Sequence, residues 1–179
     1  MGKSFCLYMI GISGSGKTTI ATALEQELKN RTSKKIQFID GDVIRSEFGE
    51  IFGHTYDERM KCNRVVRVVV KYLVQNEISV ILAQVGAYEA MRRYMRQDFG
   101  NVTDYVEIYI KCSLEECMKR DVKGYFKKQK EGLMENLNGA NDVYEIPSNS
   151  EIVIDTENTS VNDAVSIIIE HLKGLGYEL

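Results

Sequence analysis

Eight residues near the amino terminus, Gly11-Ile12-Ser13-Gly14-Ser15-Gly16-Lys17-Thr18, constrain this chain more than any other feature. They satisfy G-x-x-x-x-G-K-[ST], a pattern whose glycines let successive backbone N–H groups curl around an anion. It works between a buried strand and a helix whose N-terminal dipole faces that anion. Both flanks supply the context. Phe5–Ile10 is a short apolar run suited to a parallel strand covered on both faces. Across Thr18–Asn30, Ile20, Ala23, Leu24 and Leu28 recur at helical spacing. A dinucleotide fingerprint, G-x-G-x-x-G, cannot be drawn through Gly11, Gly14 and Gly16. The loop therefore predicts an ATP-type triphosphate site. Gly11, Ser13, Gly14, Ser15 and Gly16 would wrap the phosphates, Lys17 would reach the β- and γ-phosphates, and Thr18 would ligate Mg²⁺, with Thr19 beside it.

The rest of the chain continues the alternation of strand and helix. Lys35–Ile39, Ile78–Val85, Tyr105–Ile110 and Ile152–Ile154 read as further strands. In Arg64–Gln75, Val65, Val66, Val68, Val69 and Val70 favour a strand by propensity, but Arg64, Arg67 and Lys71 recur at three and four residues and mark a polar helical face. Tyr88–Asp98, Leu114–Lys119 and Val161–Leu172 complete the helices, while Asp40-Gly41-Asp42 reads as a turn. Between Asp121 and Pro147 apolar periodicity fades and lysines and glycines accumulate, the mark of a functional lid. The expectation is one α/β domain over residues 1–179: a three-layer α/β/α sandwich around a parallel sheet of about five strands, with a lid near 121–147.

Composition narrows the partners. A net charge of −3 disfavours a nucleic-acid partner, and the apolar run after the terminus is far short of the ~20 residues that span a bilayer. The four cysteines, Cys6, Cys62, Cys112 and Cys117, show no C-x-x-C spacing and only His54 and His171 could assist them. Reduced, buried thiols in a cytoplasmic protein are expected, without zinc and without a membrane or nucleic-acid partner.

Asp40 and Asp42 follow the second strand, at the carboxyl edge where open α/β sheets bind ligands. Beside a phosphate loop, one carboxylate can hold Mg²⁺ and the other can orient or deprotonate an acceptor hydroxyl. The metal set read here is Thr18 with Asp40; which carboxylate serves as base stays open. Arg45 and Arg59 offer forks for acceptor oxygens, Asn63 follows one helical turn beyond Arg59, and the basic run from Lys119 to Lys130 places Lys123 in the lid. His54 could stack on or hydrogen-bond a base.

Together these motifs resemble the adenylylsulfate kinase family of P-loop kinases over most of the chain. The pieces are GISGSGKTT at Gly11–Thr19, IDGDVIR at Ile39–Arg45, D-E-R with C-N-R across Asp57–Arg64, KRDVKGYFKK at Lys119–Lys128, NGANDVYEIP at Asn138–Pro147 and VIDT at Val153–Thr156. The resemblance implies a P-loop NTPase fold, a homodimer, and Mg²⁺-dependent transfer of the ATP γ-phosphate to the ribose 3′-hydroxyl of adenosine 5′-phosphosulfate. It also implies that Asp40 and Asp42 divide the metal and hydroxyl-activating roles. Arg45, Arg59 and Asn63 fall at acceptor-binding positions, and Lys123 falls at the lid lysine.

The acceptor half departs from the family. Two phenylalanines that sandwich the acceptor adenine there are His54 and Leu137 here, and a third is Gln84. In the strip Gln84-Val85-Gly86-Ala87-Tyr88-Glu89, the family's serine, proline and arginine have become Gly86, Ala87 and Glu89. Lost stacking removes ~1–3 kcal/mol per base, and Gln84 offers a donor and an acceptor to a smaller base. The leading expectation is a 3′-kinase for a modified nucleotide. Here the chain resembles an offshoot that phosphorylates cytidine 5′-diphosphoramidate in capsule phosphoramidate biosynthesis. The alternative is adenylylsulfate kinase itself. A non-enzymatic nucleotide switch is third, disfavoured by the retained Lys17, Thr18, Asp40, Asp42 and Lys123.

Overall fold

The computed structural model describes residues 4–49 and 51–179. Five strands form one sheet: β1 (Phe5–Ile10), β2 (Ile36–Asp40), β3 (Ser79–Ala83), β4 (Asp104–Lys111) and β5 (Ile152–Asp155). Their order is β2-β3-β1-β4-β5, every pair parallel. All the carboxyl ends therefore lie on one edge, where the phosphate loop follows the central strand.

Strand alternation sorts the core into two layers. From β1, Phe5, Leu7 and Met9 face α1 (Lys17–Arg31) and α7 (Val161–Gly174), meeting Ile20, Leu24, Leu28, Ile168 and Leu172. Cys6, Tyr8 and Ile10 face the other way, against Cys62, Val66, Val70 and Val74 of α3 (Tyr56–Gln75) and Met95 and Phe99 of α4 (Glu89–Phe99). β1 is buried on both faces, as its unbroken apolar run requires. The expected three-layer α/β/α sandwich with five parallel strands is the observed P-loop fold. No helix among the described residues is long and apolar enough to cross a membrane, and all four cysteines are buried and free.

Three local expectations are corrected. Asp40-Gly41-Asp42 is no isolated turn: Asp40 ends β2 and caps α2 (Gly41–Glu47), its carboxylate accepting from the Asp42 N–H. α3 starts at Tyr56, eight residues before the arginine pattern, because Thr55 and Glu58 close a capping box. Only Val66 and Val70 of its five central valines are buried; Val65, Val68 and Val69 face outward. In the segment expected to form a lid, a short α6 (Tyr125–Lys130) follows α5 (Leu114–Arg120), and Phe126 and Leu137 pack with Ile12, Cys112 and Cys117 in a small core of their own. Lysines on the exposed side of α6 hid that anchor from a periodicity reading.

Candidate active site

The phosphate loop is held open by its glycines. Gly14 and Gly16 adopt φ of +80° and +102°, a region costly for residues with a Cβ. A Cβ on Gly14 would also press within 3.0 Å of the Cys117 carbonyl, so α5 supports the loop from below. Gly16 caps α1 without a side-chain bond, leaving the first N–H groups of the helix for an anion. Lys17 folds back over the loop, its Nζ donating to the Gly11 and Ile12 carbonyls at 2.8 Å. Burial lowers its pKa to about 8, with Asp42 and Asp40 opposing the shift. The Ser15 hydroxyl is sealed in the loop without a partner.

A cleft of about 370 Å³ opens over this loop. Ser13, Gly14, Gly16, Lys17, Thr18 and Thr19 form one wall, and Lys123 with Thr156 stands among the residues opposite. Gly11 and Ser15 lie behind that surface; the Gly11 N–H bonds the Val85 carbonyl at 3.1 Å. Thr156 carried no sequence-derived role, and Arg120 only its place in the basic run from Lys119 to Lys130. Arg120 donates to the Thr156 carbonyl at 3.0 Å, and the Thr156 hydroxyl donates to the Ser15 carbonyl at 2.9 Å, tying the loop after β5 to the phosphate loop. The recognised VIDT stretch was the available signal.

Between this cleft and a second one stand the two aspartates. Thr18 Oγ1 donates to Asp40 Oδ2 at 2.9 Å, while Lys123 Nζ pairs with Asp42 Oδ2 at 2.5 Å and lies 3.9 Å from Asp40. Burial would raise the Asp42 carboxyl, but Lys123, Lys17 and Arg45 outweigh it and hold it below the usual carboxylate range. Asp42 is thus anionic at neutral pH. Burial works against the Lys123 ammonium, and Asp42 and Asp40 overcome it. The donor set fits Mg²⁺: Thr18 Oγ1 and Asp40 Oδ2 are hard oxygens in contact beside the loop, and Mg²⁺ takes few protein ligands with phosphates and waters completing its shell.

The second cleft is lined by Gly41, Asp42, Arg45, Arg59, Gln84, Val85, Gly86, Ala87 and Met91, and it is nearly closed, holding about 10 Å³. Arg45 donates to the Gly53 carbonyl at 2.5 Å. Arg59, only 4% exposed, donates to the His54 carbonyl at 2.8 Å and to the Asn136 carbonyl at 2.7 Å. Burial and the neighbouring Arg45 lower its pKa to about 10. Asn63 stands behind the lining, donating to Gln84 Oε1 at 3.4 Å. Gly86 has φ +58° and its carbonyl accepts from the buried Arg92 at 2.7 Å.

Other predicted residues are placed apart. His54 lines a separate hollow with Tyr125, Met134 and Asn136, its Nδ1 3.2 Å from Arg59. Burial, Arg59 and Arg45 push its pKa down, favouring the neutral ring. Leu137 is 4% exposed inside the lid core and does not reach the second cleft. Glu89 is exposed and pairs with Arg93 at 3.1 Å, away from the cleft lining.

The profile of the adenylylsulphate kinase family matches residues 3–155. A probable adenylyl-sulfate kinase of Pseudomonas aeruginosa is 36% identical over 165 residues, covering 92% of this chain and 75% of the relative. An adenylyl-sulfate kinase of Oceanobacillus iheyensis is 37% identical over 175 residues, covering 98% and 87%. In fold, the Mycobacterium tuberculosis APS kinase, solved in complex with AMPPNP and APS, superposes with a TM-score of 0.90 at 22% identity, covering 97% of this chain and 99% of that one. These names favour the adenylylsulfate alternative over the cytidine reading that led the sequence analysis. With a P-loop, a carboxylate pair and Lys123 gathered at one sheet edge, and with relatives matching over nearly all of its length, the chain belongs to the adenylylsulphate kinase family.

Proposed function

We propose that this kinase transfers the γ-phosphoryl group of ATP to the ribose 3′-hydroxyl of a 5′-activated nucleotide, with adenylylsulfate as the acceptor that its relatives' names indicate. The observation that carries this reading is the run of contacts Thr18–Asp40–Lys123–Asp42, which bridges the donor cleft to the second cleft. Phosphoryl transfer needs positioning and charge neutralisation more than covalent help. Lys17 exchanges its loop carbonyls for β- and γ-phosphate oxygens, and the first N–H groups of α1 face the same anion. Thr18 and Asp40 would hold Mg²⁺, which would add charge neutralisation on those phosphates. Asp42, anionic and aimed by Lys123, accepts the proton of the 3′-hydroxyl as the O3′–P bond forms and the bond from phosphorus to the ADP oxygen breaks. Arg45 and Arg59 meet the anionic 5′-group of the acceptor. The reading includes work in the cytoplasm, where ATP and Mg²⁺ are at hand. It also includes a homodimer, supported by the outward stripe Val65, Val68, Val69 and Tyr72 on α3.

A second acceptor, cytidine 5′-diphosphoramidate, is favoured by one feature of the cleft: no phenylalanine lines it. Gln84 stands in its wall, and Leu137 is folded away into the lid core. ADP release with Mg·ATP and each acceptor in parallel, compared by kcat/KM, tests both readings. Preference for adenylylsulfate supports the first, and preference for the cytidine compound the second. ATP turnover independent of any acceptor would sink both.

A further inference from the structure

Ser15 sits inside the phosphate loop, yet it is 0% exposed and its hydroxyl has no partner among the described residues. A sealed hydroxyl without a hydrogen bond destabilises the state that holds it. The backbone around it is fixed on both sides. The Ser15 N–H donates to the Ile12 carbonyl at 3.3 Å, and the Ser15 carbonyl accepts from the Thr156 hydroxyl at 2.9 Å. Gly11 lies directly against the side chain, since a Cβ there would stand 2.7 Å from Ser15 Oγ. What remains free is rotation about the Ser15 Cα–Cβ bond.

The acceptor within local reach of such a hydroxyl is the carbonyl three residues back, a bond that serine side chains commonly make. For Ser15 that carbonyl belongs to Ile12. In the free protein it is already full: a carbonyl oxygen has two lone pairs, and the Ser15 N–H and Lys17 Nζ, the latter at 2.8 Å, take both. Lys17 must leave Ile12 to reach the phosphates of ATP, and its departure opens a lone pair on that oxygen. We propose that Ser15 is a positioning residue whose hydroxyl replaces Lys17 on the Ile12 carbonyl when the triphosphate binds. The unpaired hydroxyl raises the free energy of the empty loop, and the new bond lowers that of the filled one. Both effects favour ATP, through a group sealed away from it. The inference rests on the ATP-binding half of the kinase reading and on no choice of acceptor.

Ser15→Ala and Lys17→Met, singly and together, test this by thermal unfolding and by calorimetric binding of Mg·AMPPNP, an ATP analogue that is not hydrolysed. Without ligand, Ser15→Ala should melt about 2–4 °C above the wild type, because it deletes a buried hydroxyl that has nothing to bond. In the Lys17→Met background the Ile12 carbonyl is open from the start and Ser15 already bonds it. There the same alanine should lower Tm by a similar amount. A merely structural serine would lower Tm in both backgrounds. With Lys17 present, Ser15→Ala should weaken AMPPNP binding roughly tenfold or more, since the two effects add. A ligand-free Ser15→Ala that melts below the wild type would overturn the proposal, because the hydroxyl would then have a partner already, such as a buried water. A shift of the same sign with and without Lys17 would overturn it too, as would an unchanged AMPPNP affinity. A wild type that binds no AMPPNP sinks the kinase reading, while the ligand-free change of sign still decides the exchange on Ile12.

Discussion

Lys17 carries a pH dependence that its own burial creates. In the free protein its pKa is lowered to about 8, chiefly by burial. Bound phosphates favour the charged ammonium, so the pKa rises on ATP binding. Below about pH 8 the side chain is already protonated and affinity should be flat. Above it, binding must take up a proton, and the Kd for ATP should rise by up to about tenfold per pH unit. Lys17→Arg, whose guanidinium does not titrate in this range, should lose the dependence. Titration calorimetry from pH 7 to 9.5 checks this, and a flat wild-type curve would refute it. Asp42 supports a separate expectation. Asp42→Asn keeps the shape but not the charge, and kcat should fall by about 10²–10⁴-fold, the usual worth of a positioned base. ATP binding should change little, whereas a near-normal kcat would remove Asp42 from the reaction. At this scale the donor half was legible because its residues are contiguous and the chemistry depends on backbone N–H groups. The acceptor half depends on which way single side chains turn. Nothing in a one-dimensional pattern says that Glu89 pairs outward with Arg93 or that Leu137 turns into the lid core.

The start of α3 shows how an element boundary serves the site. The Thr55 backbone N–H and hydroxyl both donate to Glu58 Oε2, at 3.0 and 2.6 Å, and Thr55 Oγ1 accepts from the Glu58 N–H at 3.4 Å. This box fixes the first turn, from which Arg59 reaches His54 and Asn136, and one turn later Asn63 reaches Gln84. Thr55→Ala should cost about 1 kcal/mol of stability, seen as a Tm lower by about 2–4 °C for a chain of this size. It should also raise the acceptor KM more than the ATP KM, because the phosphate loop does not lean on this turn. Equal effects on both would contradict that division. The T-x-x-E signal at Thr55 stood in plain view. The arginine and valine run further along competes with it, and periodicity alone puts the boundary at Arg64. α2 was hidden for another reason: its seven residues begin inside what reads as an Asp-Gly turn.

For the molecule as a whole, the segment read as a lid is tied to the body of the protein at two points of unequal strength. Lys123 pairs with Asp42, but both side chains are about a third exposed, at 35% and 34%, so the pair is open to water and worth little on its own. Arg59 to Asn136 is the firmer point, a buried guanidinium on a backbone carbonyl, reinforced by the neighbouring Leu137 packed on Ile12. A cleft holding about 10 Å³ has room for little more than one water molecule, so an acceptor should enter only with movement of the segments around it, and we predict that residues 121–130 supply that movement. The segment should lift from the Lys123 end, pivoting on the Asn136 end. Hydrogen exchange reports this directly. In the ligand-free protein, amides of residues 121–130, including the bonded Lys128 N–H, should exchange faster than the bonded Leu137, Gly139 and Asn141 N–H groups. ADP with an acceptor should slow the first set most. Arg59→Ala should bring the two sets together by freeing the pivot, and Lys123→Ala should leave the second set unchanged. Uniform exchange from 121 to 142 in the wild type would mean that the segment moves as one body and that Arg59 is no pivot.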